Sequence, residues 1–175
     1  MNENRIEKKF VLGKFKDDYL RKQLLINGFT QQYPDRNISS IYLDTLNYNF
    51  ARDNINGVSE RKKIRFRWYD DKFEKIFLEE KSKNNFTVSK VVNKINFISN
   101  KKNILNDLAK FLLSNKTKII KNQNCKMVLK TNYKRSYWIS SDKKIRATID
   151  IDINASNLSN PISKLKLSDT ILEFK

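Results

Sequence analysis

The sequence contains no histidine, and Cys125 is its single cysteine. Without histidine the chain cannot build a Ser-His-Asp or Cys-His nucleophilic site, an imidazole general base or an HExxH metal centre. A lone cysteine cannot close an internal disulfide, and it leaves a zinc site or an iron–sulfur cluster short of ligands. Oxygen atoms must therefore hold any metal ion, which favours Mg²⁺ or Mn²⁺.

Glycine and proline are also scarce, with three and two residues among 175. No Pro-, Gly- or Ser-rich linker divides the chain, so we expect a single domain. The longest apolar runs cover only a few residues and residues 1–10 are charged rather than apolar, which matches neither a signal peptide nor a membrane span. We therefore expect a soluble, cytoplasmic protein with a buried core.

Positive charge is what the chain has in excess. The 36 lysine and arginine residues exceed the 19 aspartate and glutamate residues by 36 − 19 = 17, and such a surplus calls for a polyanionic partner. Nucleic acid, a phosphate-rich small molecule or polymer, and an anionic membrane surface all satisfy this requirement. Net charge does not choose among them, so the placement of the charges decides.

The periodicity of apolar residues predicts an α+β protein. Helical spacing covers 17–27, 47–52 and 103–114, and alternation predicts strands over 5–12, 38–44, 60–69, 72–83, 86–96, 126–140, 144–153 and 171–175. About eight strands, mostly joined as hairpins, would close economically into an antiparallel barrel, because closure removes exposed edges. We expect a closed antiparallel β-barrel, or tunnel, with a few flanking helices; an open sheet with helices on one side is the alternative.

Several of these strands carry one ionic face. In the 60–69 strand, Lys63, Arg65 and Arg67 share a face and apolar residues occupy the other. If helices cover the apolar faces, the ionic faces converge on the barrel lumen, where so many cations need compensating anions. A triphosphate or polyphosphate would fit such a lumen, whereas a nucleic-acid duplex would not.

Three of the strands repeat the pattern Glu-x-Lys. The pairs are Glu7/Lys9, Glu79/Lys81 and Glu173/Lys175. Taken singly, each pair is typical of a weak ion pair on one strand face. Carboxylates among the cations would repel a nucleic-acid backbone, whereas metal-dependent phosphoryl transfer needs cations for phosphate oxygens and carboxylates for the bridging metal ion. The repetition disfavours nucleic acid as the partner.

The ordered motifs resemble the VTC domain, the polyphosphate polymerase branch of the triphosphate tunnel metalloenzymes, a CYTH-like group. The matching segments are RIEKKF at 5–10, SIYLDT at 40–45, RKKIRFRWY at 61–69, LEEK at 78–81, YKRSY at 133–137, RATID at 146–150 and LEFK at 172–175. Each motif is weak alone, but together they follow the family order over nearly the whole chain. The resemblance implies one tunnel domain over 1–175, without the C-terminal helix that family members usually have.

The resemblance also implies a function and a set of residues. A metal-dependent polymerase would transfer the γ-phosphoryl group of ATP to a growing polyphosphate chain with Mn²⁺ or Mg²⁺ and without a covalent nucleophile; a triphosphatase of the same fold and a non-catalytic polyphosphate- or RNA-binding module are the alternatives. Glu173 would be the principal metal ligand and Glu7 an auxiliary one. The phosphate-binding residues would be Lys9, Arg65, Arg67, Lys81 and Arg135, with Arg146 and Lys175 as further candidates.

Other polar residues have competing interpretations. Asp44 either positions a cation of the lumen or braces the following turn, and we favour the turn. Asp150 is either a metal ligand or the ion-pair partner of Arg146. Lys90 and Lys94 share a strand face without a carboxylate in register, so we expect them on the solvated surface.

Overall fold

The structure is a computed structural model, and it describes residues 6–13, 17–95, 99–114, 117, 119–120, 124–160 and 162–175. Its helices are α1 (Asp17–Ile26), α2 (Asn49–Ile55) and α3 (Ile104–Leu113). Its strands are β1 (Lys8–Leu12), β2 (Phe29–Thr45), β3 (Glu60–Tyr69), β4 (Ile76–Asn84), β5 (Thr87–Ile95), β6 (Cys125–Ser140), β7 (Arg146–Asn157), β8 (Lys164–Leu167) and β9 (Thr170–Phe174). No helix in this described part is long and apolar enough to cross a membrane.

The predicted elements agree well with the structure where the sequence pattern is strong. β3 has the predicted bounds, and Asp70 and Asp71, with φ of 51° and 53°, follow it in the loop to its antiparallel partner β4. The sequence prediction missed β8 and the first half of β2, which is polar, largely exposed and contains Pro34. Strand pairing rather than hydrophobic alternation keeps that half extended. The predicted strand ends at residues 5 and 96 lie outside the described residues.

Residue contacts divide the chain into two compact units. Unit 1 comprises Met1–Ile38, Asn132–Ala155 and Leu165–Lys175, and unit 2 comprises Ser39–Thr131 and Ser156–Lys164. Four strands, β2, β6, β7 and β8, contribute to both units, because the division falls within each of them.

In unit 1, β9 lies between two other strands, β1 and β7. The strand order is β1–β9–β7, followed by the unit 1 parts of β6 and β2, and β9 pairs antiparallel with both β1 and β7. Helix α1 buries Leu20 and Leu24, four residues apart, in a core with Trp138 and Ile149. This core covers one face of the sheet, and polar residues occupy the other face.

Unit 2 contains the three-stranded meander β3–β4–β5, which continues from β2. Ile64, Phe66 and Trp68 alternate along β3 and are buried in a core to which α3 contributes Ile104 and Leu108. Because side chains alternate along a strand, Lys63, Arg65 and Arg67 lie on the opposite face of β3.

The prediction of a closed barrel is not confirmed, whereas the α+β class and the antiparallel sheet are. The strand order runs from β1 to β5, and no pairing within the described part of the chain joins these two strands. The prediction assumed that exposed edges must be removed, but short strands and lysines also protect an edge. β1 has only five residues and two lysines, and β5 carries Lys90 and Lys94.

Candidate functional site

The first charged cluster lies in unit 1 and is centred on Glu173; we call Glu7, Lys9, Glu173 and Lys175 the Glu173 cluster. Glu173 of β9 stands directly opposite Lys9 of β1 and is only 3% exposed. Its Oε2 lies 3.1 Å from Lys175 Nζ, and its Oε1 lies 3.4 Å from Lys9 Nζ. Lys9 Nζ is also 3.3 Å from Glu7 Oε1, so two carboxylates and two ammonium groups form one cluster of ion pairs.

Electrostatics keep the Glu173 carboxylate ionised despite its burial. Burial opposes ionisation, but the charges of Lys175 and Lys9 outweigh it and lower the pKa of Glu173 to about 2. Burial also opposes the charge of Lys9, but Glu173 and Glu7 together raise the pKa of this lysine. The cluster therefore presents charged groups of both signs at neutral pH.

One oxygen of Glu173 lacks a hydrogen-bond partner. Oε1 is buried and accepts no hydrogen bond from any described residue; Lys9 Nζ, at 3.4 Å, is near it without hydrogen-bond alignment. A buried, ionised and unsatisfied oxygen is a suitable ligand for a hard divalent cation. Among the described residues no group of three or more carboxylate or thiol side chains could hold a metal ion, so Glu7 and Glu173 are the protein ligands that this place offers.

The second charged cluster lies in unit 2 and is centred on Glu79; we call Tyr42, Arg65, Arg67, Glu79 and Lys90 the Glu79 cluster. Glu79 of β4 faces Arg65 of β3 and is 5% exposed. Arg65 donates to Oε2 from Nε at 2.8 Å, and its Nη2 lies 2.7 Å from the same oxygen. Lys90 Nζ donates to Oε1 at 2.9 Å, so both carboxylate oxygens are satisfied.

The remaining members hold the Glu79 cluster together. Arg67 Nη1 lies 3.6 Å from Glu79 Oε2, and Arg65 Nη1 donates to the Tyr42 hydroxyl at 3.1 Å. Burial opposes ionisation of Glu79, but the hydrogen bond from Lys90 and the charges of Arg67 and Arg65 hold its pKa below the usual range. Two of the predicted phosphate-binding arginines are thus already neutralised in part by a carboxylate.

Lys90 and Lys94 are exposed, as expected, but Lys90 has a carboxylate partner that the sequence did not indicate. The residue directly opposite Lys90 is Lys81, so no carboxylate is in register with Lys90, as the sequence indicated. Glu79, however, lies diagonally across the pair, and diagonal neighbours are within reach of long side chains. Lys81 itself forms no ion pair with any residue in the described ranges, so the lysine of the Glu79 motif is replaced by one from the next strand.

Arg135 and Asp150 form a third ionic contact, in unit 1. Arg135 Nε and Nη2 donate to the two Asp150 oxygens at 2.5 and 2.6 Å, and the guanidinium stacks 5.2 Å from the centre of the Tyr133 ring. Burial opposes the charge of Arg135, but the hydrogen bonds to Asp150 raise its pKa. Of the two interpretations of Asp150, the ion pair with Arg146 is wrong, because Asp150 pairs with Arg135; Arg146 is exposed and makes no ion pair with the described residues.

Asp44 has the structural role that the sequence favoured. Its carboxylate accepts the backbone N–H groups of Thr45, Phe50 and Ala51 at 2.8 to 2.9 Å. These contacts fix the turn between β2 and α2.

The predicted site residues therefore fall in two groups. Unit 1 brings together Glu7, Lys9, Glu173 and Lys175 and also contains Arg135 and Arg146, whereas unit 2 contains Arg65, Arg67 and Lys81. Sequence reasoning missed Lys90 and the contact of Tyr42 with Arg65. The role of Lys90 could have been found only from the register between β4 and β5, which cannot be read from the sequence.

Comparison with solved structures identifies proteins of the same fold. A Vibrio parahaemolyticus protein provisionally assigned as an adenylate cyclase aligns with a TM-score of 0.55 and 11% identity, over 97% of this chain and 75% of its own. A Hippeastrum protein provisionally assigned as an adenylyl cyclase, and described as having a dominant triphosphatase activity, aligns with a TM-score of 0.55 and 13% identity, over 96% and 77%. No curated protein sequence matches the chain. The model of the VTC domain family matches residues 4–173, and the chain therefore belongs to the VTC domain family.

Proposed function

We propose that this VTC domain is a metal-dependent polyphosphate polymerase that transfers the γ-phosphoryl group of ATP to a growing polyphosphate chain. The observation that carries the proposal is the Glu173 cluster. It combines a buried carboxylate that has an unsatisfied oxygen with lysines on both sides of it. Phosphoryl transfer with a divalent ion requires this combination, because the carboxylate holds the metal ion and the cations hold phosphate oxygens.

Glu173 and Glu7 would hold Mn²⁺ or Mg²⁺. Both ions accept carboxylate oxygens and keep several waters, so phosphate oxygens and waters would complete the coordination. A bound divalent ion would neutralise charge on the transferred phosphoryl group. The fit rests on the unsatisfied Glu173 Oε1 and on the Glu7 carboxylate, because Lys9 Nζ lies 3.4 Å from the first and 3.3 Å from Glu7 Oε1.

The cations of both units would bind phosphate oxygens. In unit 1 these are Lys9, Lys175, Arg135 and Arg146, and in unit 2 they are Arg65, Arg67 and Lys81. Lys81 stands directly opposite Lys63 and also opposite Lys90, and like charges facing each other across strands are unfavourable. An anion bound over this row would relieve the repulsion.

Positioning and charge neutralisation would supply the catalysis. The residues of the two clusters contain no thiol or imidazole that could form a covalent phosphoryl intermediate. Cations fixed by carboxylates are already oriented before the substrate binds, which lowers the cost of stabilising the charge that develops.

A triphosphatase is the second candidate function. The same residues would bind the same triphosphate, and the two activities differ in whether water or a terminal phosphate accepts the phosphoryl group. The triphosphatase activity described for the Hippeastrum protein favours this candidate, although at 13% identity that likeness concerns the fold.

Product analysis tests the proposal. We expect the purified protein, incubated with γ-labelled ATP and Mn²⁺, to yield long labelled chains on a polyacrylamide gel, and none when EDTA replaces the metal. Free phosphate as the sole product would establish the triphosphatase instead. If the protein forms neither product but still binds tripolyphosphate, it is a non-catalytic binding module. If it binds single-stranded RNA in preference to tripolyphosphate, the assignment of the anion is overturned.

A further inference from the structure

A second buried polar atom without a partner lies next to Glu173. Thr148 Oγ1 is buried and makes no hydrogen bond with any described residue, just as Glu173 Oε1 does not. Thr148 of β7 stands directly opposite Glu173 of β9. Side chains directly opposite on an antiparallel pair point to the same face, with Cβ atoms about 4.5 to 5.5 Å apart. The two unsatisfied oxygens therefore belong to one small region of unit 1.

The coincidence is informative because buried polar atoms are normally hydrogen-bonded. A hydroxyl group can donate, and a carboxylate can accept, so the two side chains could have satisfied each other. They do not, although they are neighbours. A group that bridges them accounts for both atoms at once.

The partners of Glu173 indicate what the bridging group is. Lys175 already binds Oε2, and Lys9 lies beside Oε1 without hydrogen-bond alignment, so Oε1 retains a free lone pair in a cluster that also contains Glu7. A water on a divalent ion at Oε1 donates hydrogen bonds, and the neighbouring threonine hydroxyl can accept one of them without adding charge.

We propose that Thr148 is a positioning residue for the metal ion, and that its hydroxyl accepts a hydrogen bond from a water on the divalent cation held by Glu173. The inference rests on the proposed function, because that function places the cation on Glu173. Residues that orient a metal's ligands without binding it typically change its affinity by about 10- to 100-fold. Thr148 thereby fixes the position of the cation relative to the phosphate-binding lysines.

Thr148→Val tests this assignment, since it keeps the shape of the side chain and removes the hydroxyl. We expect the affinity for Mn²⁺ alone, followed by the loss of the free-ion electron paramagnetic resonance signal, to fall by about tenfold or more. Thr148→Ser should restore most of it. Thr170→Val, on the opposite face of β9 by strand alternation, should leave Mn²⁺ binding unchanged.

Thermal unfolding in EDTA separates this role from a purely structural one. Because Thr148→Val removes a buried hydroxyl that has no partner, the melting temperature of the metal-free protein should stay the same or rise. A fall in the metal-free melting temperature would show that the hydroxyl has a structural partner, and it would overturn the assignment.

Two binding outcomes distinguish this inference from the proposed function. If the wild type binds Mn²⁺, Glu173→Gln abolishes binding and Thr148→Val does not weaken it, the inference fails and the metal site stands. If the wild type binds no Mn²⁺, the metal site of the proposed function fails and the role of Thr148 fails with it.

Discussion

The two LExK motifs of this chain have the same spacing and nearly the same burial, yet their glutamates have different surroundings. Glu79 is 5% exposed and Glu173 is 3% exposed. Both oxygens of Glu79 accept hydrogen bonds from cations on neighbouring strands, whereas Glu173 retains a buried oxygen with no hydrogen-bond partner among the described residues. Neither the motif nor burial separates the two glutamates. Hydrogen-bond satisfaction does, and it is the reason that we propose Glu173 rather than Glu79 as the metal ligand.

The partner lysines differ in the same sense. Lys175, the lysine of the second motif, binds its own glutamate at 3.1 Å. In the first motif Lys81 makes no ion pair with the described residues, and Lys90 takes its place at 2.9 Å. Lys81 therefore lies beside the Glu79 cluster without an ion-pair partner among the described residues, whereas in the Glu173 cluster it is a carboxylate oxygen that lacks a hydrogen-bond partner.

The largest expected effect concerns turnover. Glu173→Gln removes the charge that would hold the metal ion, so we expect the rate of ATP consumption to fall by at least about 100-fold. Glu79→Gln should lower the rate much less, because its carboxylate is an ion-pair partner rather than a ligand. Steady-state rates at saturating Mn²⁺ measure both, with Glu74→Gln, on an exposed residue, as the control. Equal losses for Glu79→Gln and Glu173→Gln would remove the distinction between the clusters.

Both variants should lose stability, in contrast to their unequal effects on turnover. Glu79→Gln leaves Arg65, Arg67 and Lys90 without their common counter-charge, and breaking a buried ion pair from one side costs about 3 kcal/mol. Glu173→Gln should cost a comparable amount although its lysines are 58% and 39% exposed, because the lowering of the Glu173 pKa to about 2 means that this charge also stabilises the folded state. Urea unfolding without metal gives both values. A loss well below about 1 kcal/mol for Glu79→Gln would contradict the assignment of Glu79 as a structural ion pair.

How much of this could be read from the sequence depends on whether a feature is local. Alternation along 60–69 predicted β3, its buried face and its cationic face, because a strand's two faces follow from its own residues. The replacement of Lys81 by Lys90 and the pairing of Asp150 with Arg135 depend on the register between strands, which no local pattern encodes. The unsatisfied oxygen of Glu173 depends on three strands at once, so only the structure reveals it.

The smallest expected effect is a difference in pH dependence. The ion pairs lower the pKa of Glu79 below its ordinary value of 4.5, so the folded state binds its proton less readily than the unfolded chain. The stabilisation by this group is therefore present above pH 4.5 and is lost as the pH falls through the lowered pKa of the folded state. Glu79→Gln has no such group, so the stability difference between wild type and this variant should shrink as the pH falls from 7 to 3. Urea unfolding at several pH values measures this difference for Glu79→Gln and for the exposed control Glu74→Gln. A difference that stays constant over this range would mean that the charge of Glu79 contributes nothing to folding, and Glu79 would then have to be reconsidered as a second ligand for a cation.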